Sequence, residues 1–324
     1  MAERRILEGR TALVTGGGRG IGRSHALALA AAGARVLVND VGSNDQGDVS
    51  DGGPAQAVVR EIVERGGQAV ADTTSVSSWA GGCDVVRHAI DAFGDIDIVV
   101  NNAGVSLMAT IDQVDEAGWQ RTLDINLTGP ASTMHHASAH WRESGEVRPR
   151  AIINTSSPAG TNPGPEGIAY CSTKAAVAAM TVSAAGAVHK FGARVNAIAP
   201  IALTRMFEKA PPFILEAMKA QNSADFDAGD PDNIAPLALY LASPACRFTG
   251  RTFGISGAEL YLFDGYSARQ HLSNNARRWT FESMAEALER VDPQDRGWAI
   301  APGMHFPGPT PGDQVLAELG QLAG

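Results

Sequence analysis

The stretch Thr11-Ala12-Leu13-Val14-Thr15-Gly16-Gly17-Gly18-Arg19-Gly20-Ile21-Gly22 decides the fold. Its first five residues are short, apolar and partly β-branched, and read as a buried strand. Closely spaced glycines follow, then an Ala/Leu-rich stretch from Ser24 to Ala32 that reads as a helix stopped by Gly33. The same alternation continues outward. Strands are expected at 34–39, 68–71, 96–100, 150–155, 193–198 and 252–255, and helices at 54–65, 79–93, 168–190 and 234–241. Residues 116–142 read as one long helix, irregular near Gly129-Pro130. This rhythm predicts an α/β fold: a doubly wound parallel sheet of about seven strands with helices on both faces. Residues 42–53 read as a long polar loop. Residues 268–324 read as a C-terminal extension with a helix near 281–290, either docked on residues 1–267 or on a neighbouring subunit, or partly disordered.

The glycines have the spacing G-x-x-x-G-x-G, a variant of the Rossmann dinucleotide fingerprint. Gly16 allows the tight turn, and Gly20 lets the backbone approach a diphosphate. Gly18, Arg19, Ile21 and Gly22 complete the turn, where a helix N-terminus offers unpaired N–H groups. Asp40 ends the second strand, where a carboxylate accepts hydrogen bonds from an adenosine ribose and repels a 2′-phosphate. It favours NAD over NADP, and Arg19 is the counter-signal. Asn102, Ala103 and Gly104 follow the fourth strand; the small residues leave the sheet edge open to the cofactor, and Asn102 can tie neighbouring loops together.

Tyr170 and Lys174 lie one helical turn apart and share a face. An ammonium beside a phenol stabilises the phenolate, so Lys174 is expected to lower the Tyr170 pKa and make it an acid/base near neutrality. Ser157, just past the fifth strand, can hold a reacting oxygen. Together with the glycine turn, these residues imply hydride exchange between a nicotinamide and an alcohol or ketone.

Composition sets the frame. The chain has 324 residues, 44% hydrophobic and 19% charged, with a formal net charge of −9. The acidic balance argues against nucleic-acid and membrane-surface partners. Cys83, Cys171 and Cys246 show neither metal-ligand spacing nor a disulfide framework, so no metal is expected. The N-terminus shows no signal-peptide pattern, the C-terminus is not a peroxisomal address, and no apolar run looks long enough to span a bilayer. A cytoplasmic location is the expectation.

On these motifs the chain resembles the short-chain dehydrogenases/reductases over roughly residues 8–258. The family's glycine motif matches Thr15 to Gly22, its N-N-A-G matches Asn101 to Gly104, and its serine and Y-x-x-x-K match Ser157 and Tyr170 to Lys174. The resemblance implies that Tyr170 is the acid/base, that Lys174 holds the ribose, and that Ser157 orients the substrate oxygen. It implies a proton-relay asparagine at Asn126, an adenine-side carboxylate at Asp72, and a homo-oligomer, dimer or tetramer.

Val38-Asn39-Asp40-Val41-Gly42, the loop after it, and Asn196-Ala197-Ile198-Ala199-Pro200 leading to Thr204-Arg205-Met206 resemble one branch, the (3R)-hydroxyacyl-CoA dehydrogenase unit of multifunctional β-oxidation enzymes. Pro200, Ile201 and Thr204 then flank the cofactor, with Ile201 a departure from the family's usual glycine. The implied substrate is a 3-hydroxyacyl-CoA. The alternatives are a hydroxysteroid, terpene or other lipophilic alcohol, or a non-catalytic NAD-binding regulator. The apolar loop 204–213 could cap a substrate or form an oligomer contact.

Overall fold

Thr11–Thr15 (β1) pairs in parallel with Arg35–Asn39 (β2) on one side and Ile98–Asn101 (β4) on the other. A computed structural model describes residues 5–42, 53–161, 163–164, 166–206, 212–263 and 272–291. The remaining parallel strands are Gln68–Asp72 (β3), Arg150–Thr155 (β5), Ala193–Ile201 (β6) and Thr252–Ser256 (β7). The sheet has eight strands, in the order β3-β2-β1-β4-β5-β6-β7-β8. The eighth, Glu259–Phe263 (β8), is antiparallel to β7 and corrects the expected count of about seven. Gly257 and Ala258 make a two-residue turn between them, with Gly257 at φ +53°.

Residues of alternate parity along each strand enter different cores, as the two-residue period of a strand requires. Ala12, Val14, Val36, Val38, Ile98 and Val100 pack with Leu29 of Gly20–Ala31 (α1), Val58 and Ile62 of Gly53–Glu64 (α2), and Leu237 and Leu241 of the helix Ala235–Ala242. Leu13, Leu37, Val99, Ile152 and Val195 pack on the other face. Their partners include Val85, Val86 and Ala89 of Trp79–Phe93 (α3), and Met134, Ala137 and Trp141 of the helix Gly129–Ser144. Covering both faces is why the strands read as nearly continuous apolar runs.

The expected long helix over 116–142 is three pieces: Glu116–Leu123 (α4), a π-helical turn Asp124–Thr128, and Gly129–Ser144 (α5). A π-turn inside a helix frequently marks a functional position. Pro158–Thr161 (α6) precedes Ile168–Val188 (α7), Pro212–Lys219 (α8) follows β6, and Ala235–Ala242 is α9. The run Ile168–Phe191 is long and apolar enough to cross a membrane by length and composition, against the expectation that no run is. It lies along β6 with Lys174 and Thr181 buried in its middle, as a sheet-packing helix does.

Internal contacts divide the chain into two units, 1–263 and 264–324. In the second, the described helix Phe281–Leu288 (α10) has a reciprocal cap: Thr280 Oγ1 accepts from the Ser283 N–H, and Ser283 Oγ accepts from the Thr280 N–H. The expected loop between Gly42 and Gly53, residues 207–211 of the apolar loop, and the extension beyond 291 lie outside the described residues.

Strand register sets up the site. Asp72, Asn39, Thr15, Asn101 and Asn154 fall in one row across the C-terminal ends of β3, β2, β1, β4 and β5. Chain order reverses between β1 and β4, and ligands of open α/β sheets bind outside the strand ends at such a switch point.

Candidate active site

The glycine turn is locked to the loop after β4. Asn102 Nδ2 donates to the carbonyls of Thr15 at 3.1 Å and Gly16 at 3.0 Å. Thr15 Oγ1 accepts from the N–H groups of Asn102 and Ala103, both at 3.1 Å. Gly22 sits where no side chain fits: a Cβ there would lie 2.0 Å from the Gly16 carbonyl oxygen and 2.5 Å from Asn102 Nδ2. At α1 no side chain caps the N-terminus and no acidic residue occupies the first turn. That arrangement suits an anion.

Asp40 borders the turn as expected of a ribose-side carboxylate. Its Oδ2 accepts from the Gly18 N–H at 2.9 Å and its Oδ1 from the Gly42 N–H at 2.8 Å. Asp72 lies in the same row but in a network of its own. It accepts from Asn39 Nδ2 at 2.7 Å, the Thr74 N–H at 2.9 Å and Thr74 Oγ1 at 3.1 Å, and pairs with His88 Nδ1 at 2.6 Å. Burial pushes its carboxyl up, but the bonds from His88, Thr74 and Asn39 outweigh that and hold it below the usual carboxylate range. Pro200 and Ile201 end β6 in register with Ile255 and Ser256. Thr204 reaches over the glycine turn: its Cγ2 is 3.1 Å from where a Gly20 Cβ would stand.

Ser157, Tyr170 and Lys174 come together. β5 runs out through Thr155 into Ser157, whose hydroxyl lies close enough to the Tyr170 phenol to favour its charged form. α7 carries Tyr170 and Lys174 on one face, with Lys174 Nζ 5.7 Å from the Tyr170 ring centre. Lys174 Nζ donates to the Thr155 carbonyl at 2.8 Å, and Ser156 Oγ donates to the Lys174 carbonyl at 2.8 Å. The lysine is thus tied to the end of β5 and the residue after it through its ammonium and its main-chain carbonyl. Gly104 faces it, since a Cβ there would sit 3.5 Å from Lys174 Nζ and 3.3 Å from Asn126 Oδ1.

Asn126 projects from the π-turn. Its Oδ1 accepts from the Val105 N–H and its Nδ2 donates to the Val105 carbonyl, both at 2.9 Å. It therefore clamps the loop that carries Gly104.

The electrostatics correct one expectation. Burial pushes the Tyr170 phenol above its ordinary value, the nearby Ser157 hydroxyl offsets this only in part, and Cys171 pushes further up. Burial also lowers the Lys174 ammonium to about 8. Lys174 is buried and Tyr170 half-buried, so desolvation opposes charge on each and outweighs any lowering of the phenol by the lysine.

Several supporting groups escaped the sequence reading. Asn101 Nδ2 donates to Asn154 Oδ1 at 2.9 Å, Asn154 Nδ2 to Thr181 Oγ1 at 2.9 Å, and Thr133 Oγ1 to Asn101 Oδ1 at 2.6 Å. This buried chain ties β4, β5, α5 and α7 together beneath the site. The signal for it was polar residues closing otherwise apolar strands. The Thr155 carbonyl that holds Lys174 has no sequence signal.

Comparison with known proteins agrees with this geometry. The short chain dehydrogenase family model matches residues 10–212. The hydroxyacyl-CoA dehydrogenase ChsB1 of Mycobacterium tuberculosis is 34% identical over 282 residues, covering 84% of this chain and 85% of that protein. The peroxisomal multifunctional enzyme A of Dictyostelium discoideum is 36% identical over 247 residues, 76% of this chain and 52% of that protein. A crystal structure of a short chain dehydrogenase from Mycobacterium avium superposes with a TM-score of 0.76 at 36% identity, covering 89% of this chain and 97% of the other. The chain belongs to the short-chain dehydrogenase/reductase family. It is an oxidoreductase of the type that uses a nicotinamide cofactor, NAD or NADP. The open α1 N-terminus and the close approach at Gly22 fit such a dinucleotide.

Proposed function

We propose that this enzyme is an NAD-dependent dehydrogenase that interconverts the hydroxyl and keto forms of a 3-hydroxyacyl-CoA. The observation that carries the reading is the meeting of Ser157, Tyr170 and Lys174 opposite Gly104 at the C-terminal edge of the sheet. A bound nicotinamide supplies the hydride acceptor in the oxidative direction. Tyr170 takes the hydroxyl proton onto its phenolate oxygen. The Ser157 hydroxyl, close to that phenol, holds the substrate oxygen against it. Lys174, held by the Thr155 carbonyl, places its charge over the Tyr170 ring and offers donors to the ribose. Asn126 clamps the loop that sets Gly104 against Lys174, beside the path by which the proton leaves.

NAD is preferred because Asp40 sets a carboxylate beside Gly18, at the ribose end of the turn, where a 2′-phosphate would be repelled. The substrate class is supported by the likeness to ChsB1 and the multifunctional enzyme. A second reading, oxidation of a lipophilic alcohol, is favoured by Met108 and Ile111, which are 61% and 73% exposed on the loop after β4. Met108 Sδ lies against Gly167, at the entry to the helix that carries Tyr170. Reduced-nicotinamide formation on a panel of 3-hydroxyacyl-CoAs, hydroxysteroids and terpene alcohols, with NAD and then NADP, tests both. Turnover of the CoA thioesters with NAD is expected. Turnover of the neutral alcohols alone would replace the first reading with the second.

A further inference from the structure

A dinucleotide with its diphosphate at the open N-terminus of α1 and its nicotinamide beside Tyr170 and Lys174 lies across the switch point between β1 and β4. Its adenosine half then extends the other way, over the ends of β2 and β3. Asp40 stands at the ribose, and Asp72 closes the row of strand ends beyond it. The two are adjacent, since the Asp40 N–H donates to the Asp72 carbonyl at 2.9 Å. Asp72 is thus the carboxylate on the base side of the ribose, a placement that rests on the cofactor reading above.

A carboxylate has about four places to accept a hydrogen bond. In Asp72 each is taken from within the protein. Oδ1 accepts from Asn39 Nδ2 and the Thr74 N–H, and Oδ2 accepts from His88 Nδ1 and Thr74 Oγ1. These donors are not equivalent. Asn39 Nδ2 is fixed by a second bond, to the Thr74 carbonyl at 2.8 Å. The Thr74 N–H belongs to the backbone. His88 projects from α3, whose Val85 and Ala89 are fully buried on either side of it, and its Nδ1 makes the shortest contact, 2.6 Å. Thr74 Oγ1 makes the longest, 3.1 Å, and a hydroxyl can turn. The Asp72 carboxyl is held below the usual range, so near neutrality it only accepts, and Nδ1 is the ring nitrogen that carries the proton. Among the described residues, His88 is the donor that ties this carboxylate to a helix rather than to the strand ends.

Three held donors and one that can swing away leave a single exchangeable place, on the oxygen that His88 grips. An adenine offers an amine there. A hypoxanthine offers a carbonyl oxygen, whose lone pairs meet those of the carboxylate. We infer that His88 is a positioning residue for the cofactor's base: it pins Asp72 Oδ2 so that this oxygen, released by the Thr74 hydroxyl, takes the 6-amino group of the adenine. Without His88, Oδ2 is held by the rotatable hydroxyl alone.

Calorimetric titration of the substrate-free enzyme with NAD and with nicotinamide hypoxanthine dinucleotide tests this, and no turnover is involved. The wild-type enzyme should bind NAD more tightly by roughly ten-fold, the scale of one hydrogen bond to a charged group. His88→Leu keeps the bulk and removes the donor. It should weaken NAD binding until the two affinities agree within about two-fold. His88→Asn sets an amide N–H where Nδ1 stands and should keep the preference of the wild type, a rescue that bulk alone would not give. The His88 side chain is 42% exposed, so both variants should fold, with thermal melts as the check. A preference that His88→Leu leaves intact overturns the proposal. So does a preference that His88→Asn loses as fully as His88→Leu, which would assign the effect to the ring and not to its donor. A wild-type enzyme that binds the two dinucleotides equally also overturns it, and takes Asp72 away from the base. An enzyme that binds NADP and not NAD overturns the NAD reading instead, and the same pair of bases on NADP then decides the role of His88.

Discussion

Lys174 is subject to two opposing demands. Burial lowers its ammonium to about 8, yet the phenolate that must form at Tyr170 needs a cation close by. Two groups this near titrate as a pair, and each stabilises the charged form of the other. Oxidation uses the phenolate, so its kcat/KM should rise with pH as the pair loses its proton. Reduction uses the phenol and should fall over the same range. Lys174→Met leaves a half-buried phenol without its cation, so the Tyr170 pKa should climb further. The rising limb for oxidation should then move to higher pH and kcat fall by about a hundred-fold, within the range for disabled acid/base catalysis. A pH–rate profile checks this, and an unmoved limb would count against the pairing. The motif spacing showed that these two side chains share a helix face. It could not show that both are desolvated, because burial is decided by what packs over the helix.

At the scale of elements, α1 serves the site through its first turn and the fold through its buried face. Gly22→Ala would place a methyl group 2.0 Å from the Gly16 carbonyl oxygen, so the turn must open. NAD affinity is expected to fall at least about ten-fold, with destabilisation of roughly 1–3 kcal/mol as for other overpacked positions. Calorimetric NAD titration and thermal melts measure both. Three residues on, His25 is buried, and its Nδ1 finds no partner among the described residues. Burial lowers its pKa from 6.5 to about 4. The folded protein holds the ring neutral, whereas the unfolded chain takes up a proton below about 6.5. Stability is therefore full above that pH and is lost as pH falls towards 4, by about 3 kcal/mol in total. Denaturant melts across that window should show the slope, and His25→Leu should flatten it. The glycine spacing gave away the turn because it serves a local backbone need. The π-turn at Asn126 and the split of the long helix stayed hidden, because they depend on the loop that Asn126 must clamp at Val105.

For the whole molecule, the parallel sheet was readable because strands buried on both faces are written as apolar runs between helical stretches. The polar row that ends those strands was readable in residue type but not in meaning. Only register places Thr15, Asn101 and Asn154 side by side and shows that they brace the floor of the site. β8 was missed because it is an edge strand, with Leu260 58% and Leu262 50% exposed, and carries no clean alternation. The Gly257-Ala258 turn between two apolar runs was the available sign. The sheet, the turn and the buried lysine all converge on one oxygen, the Tyr170 phenol. The most direct test is reduced-nicotinamide formation in a single turnover of Tyr170→Phe with NAD and a 3-hydroxyacyl-CoA, alongside calorimetric NAD binding. The account predicts NAD affinity within about three-fold of wild type and a hydride-transfer rate lower by about a hundred-fold or more. A rate equal to that of the wild-type enzyme would contradict it.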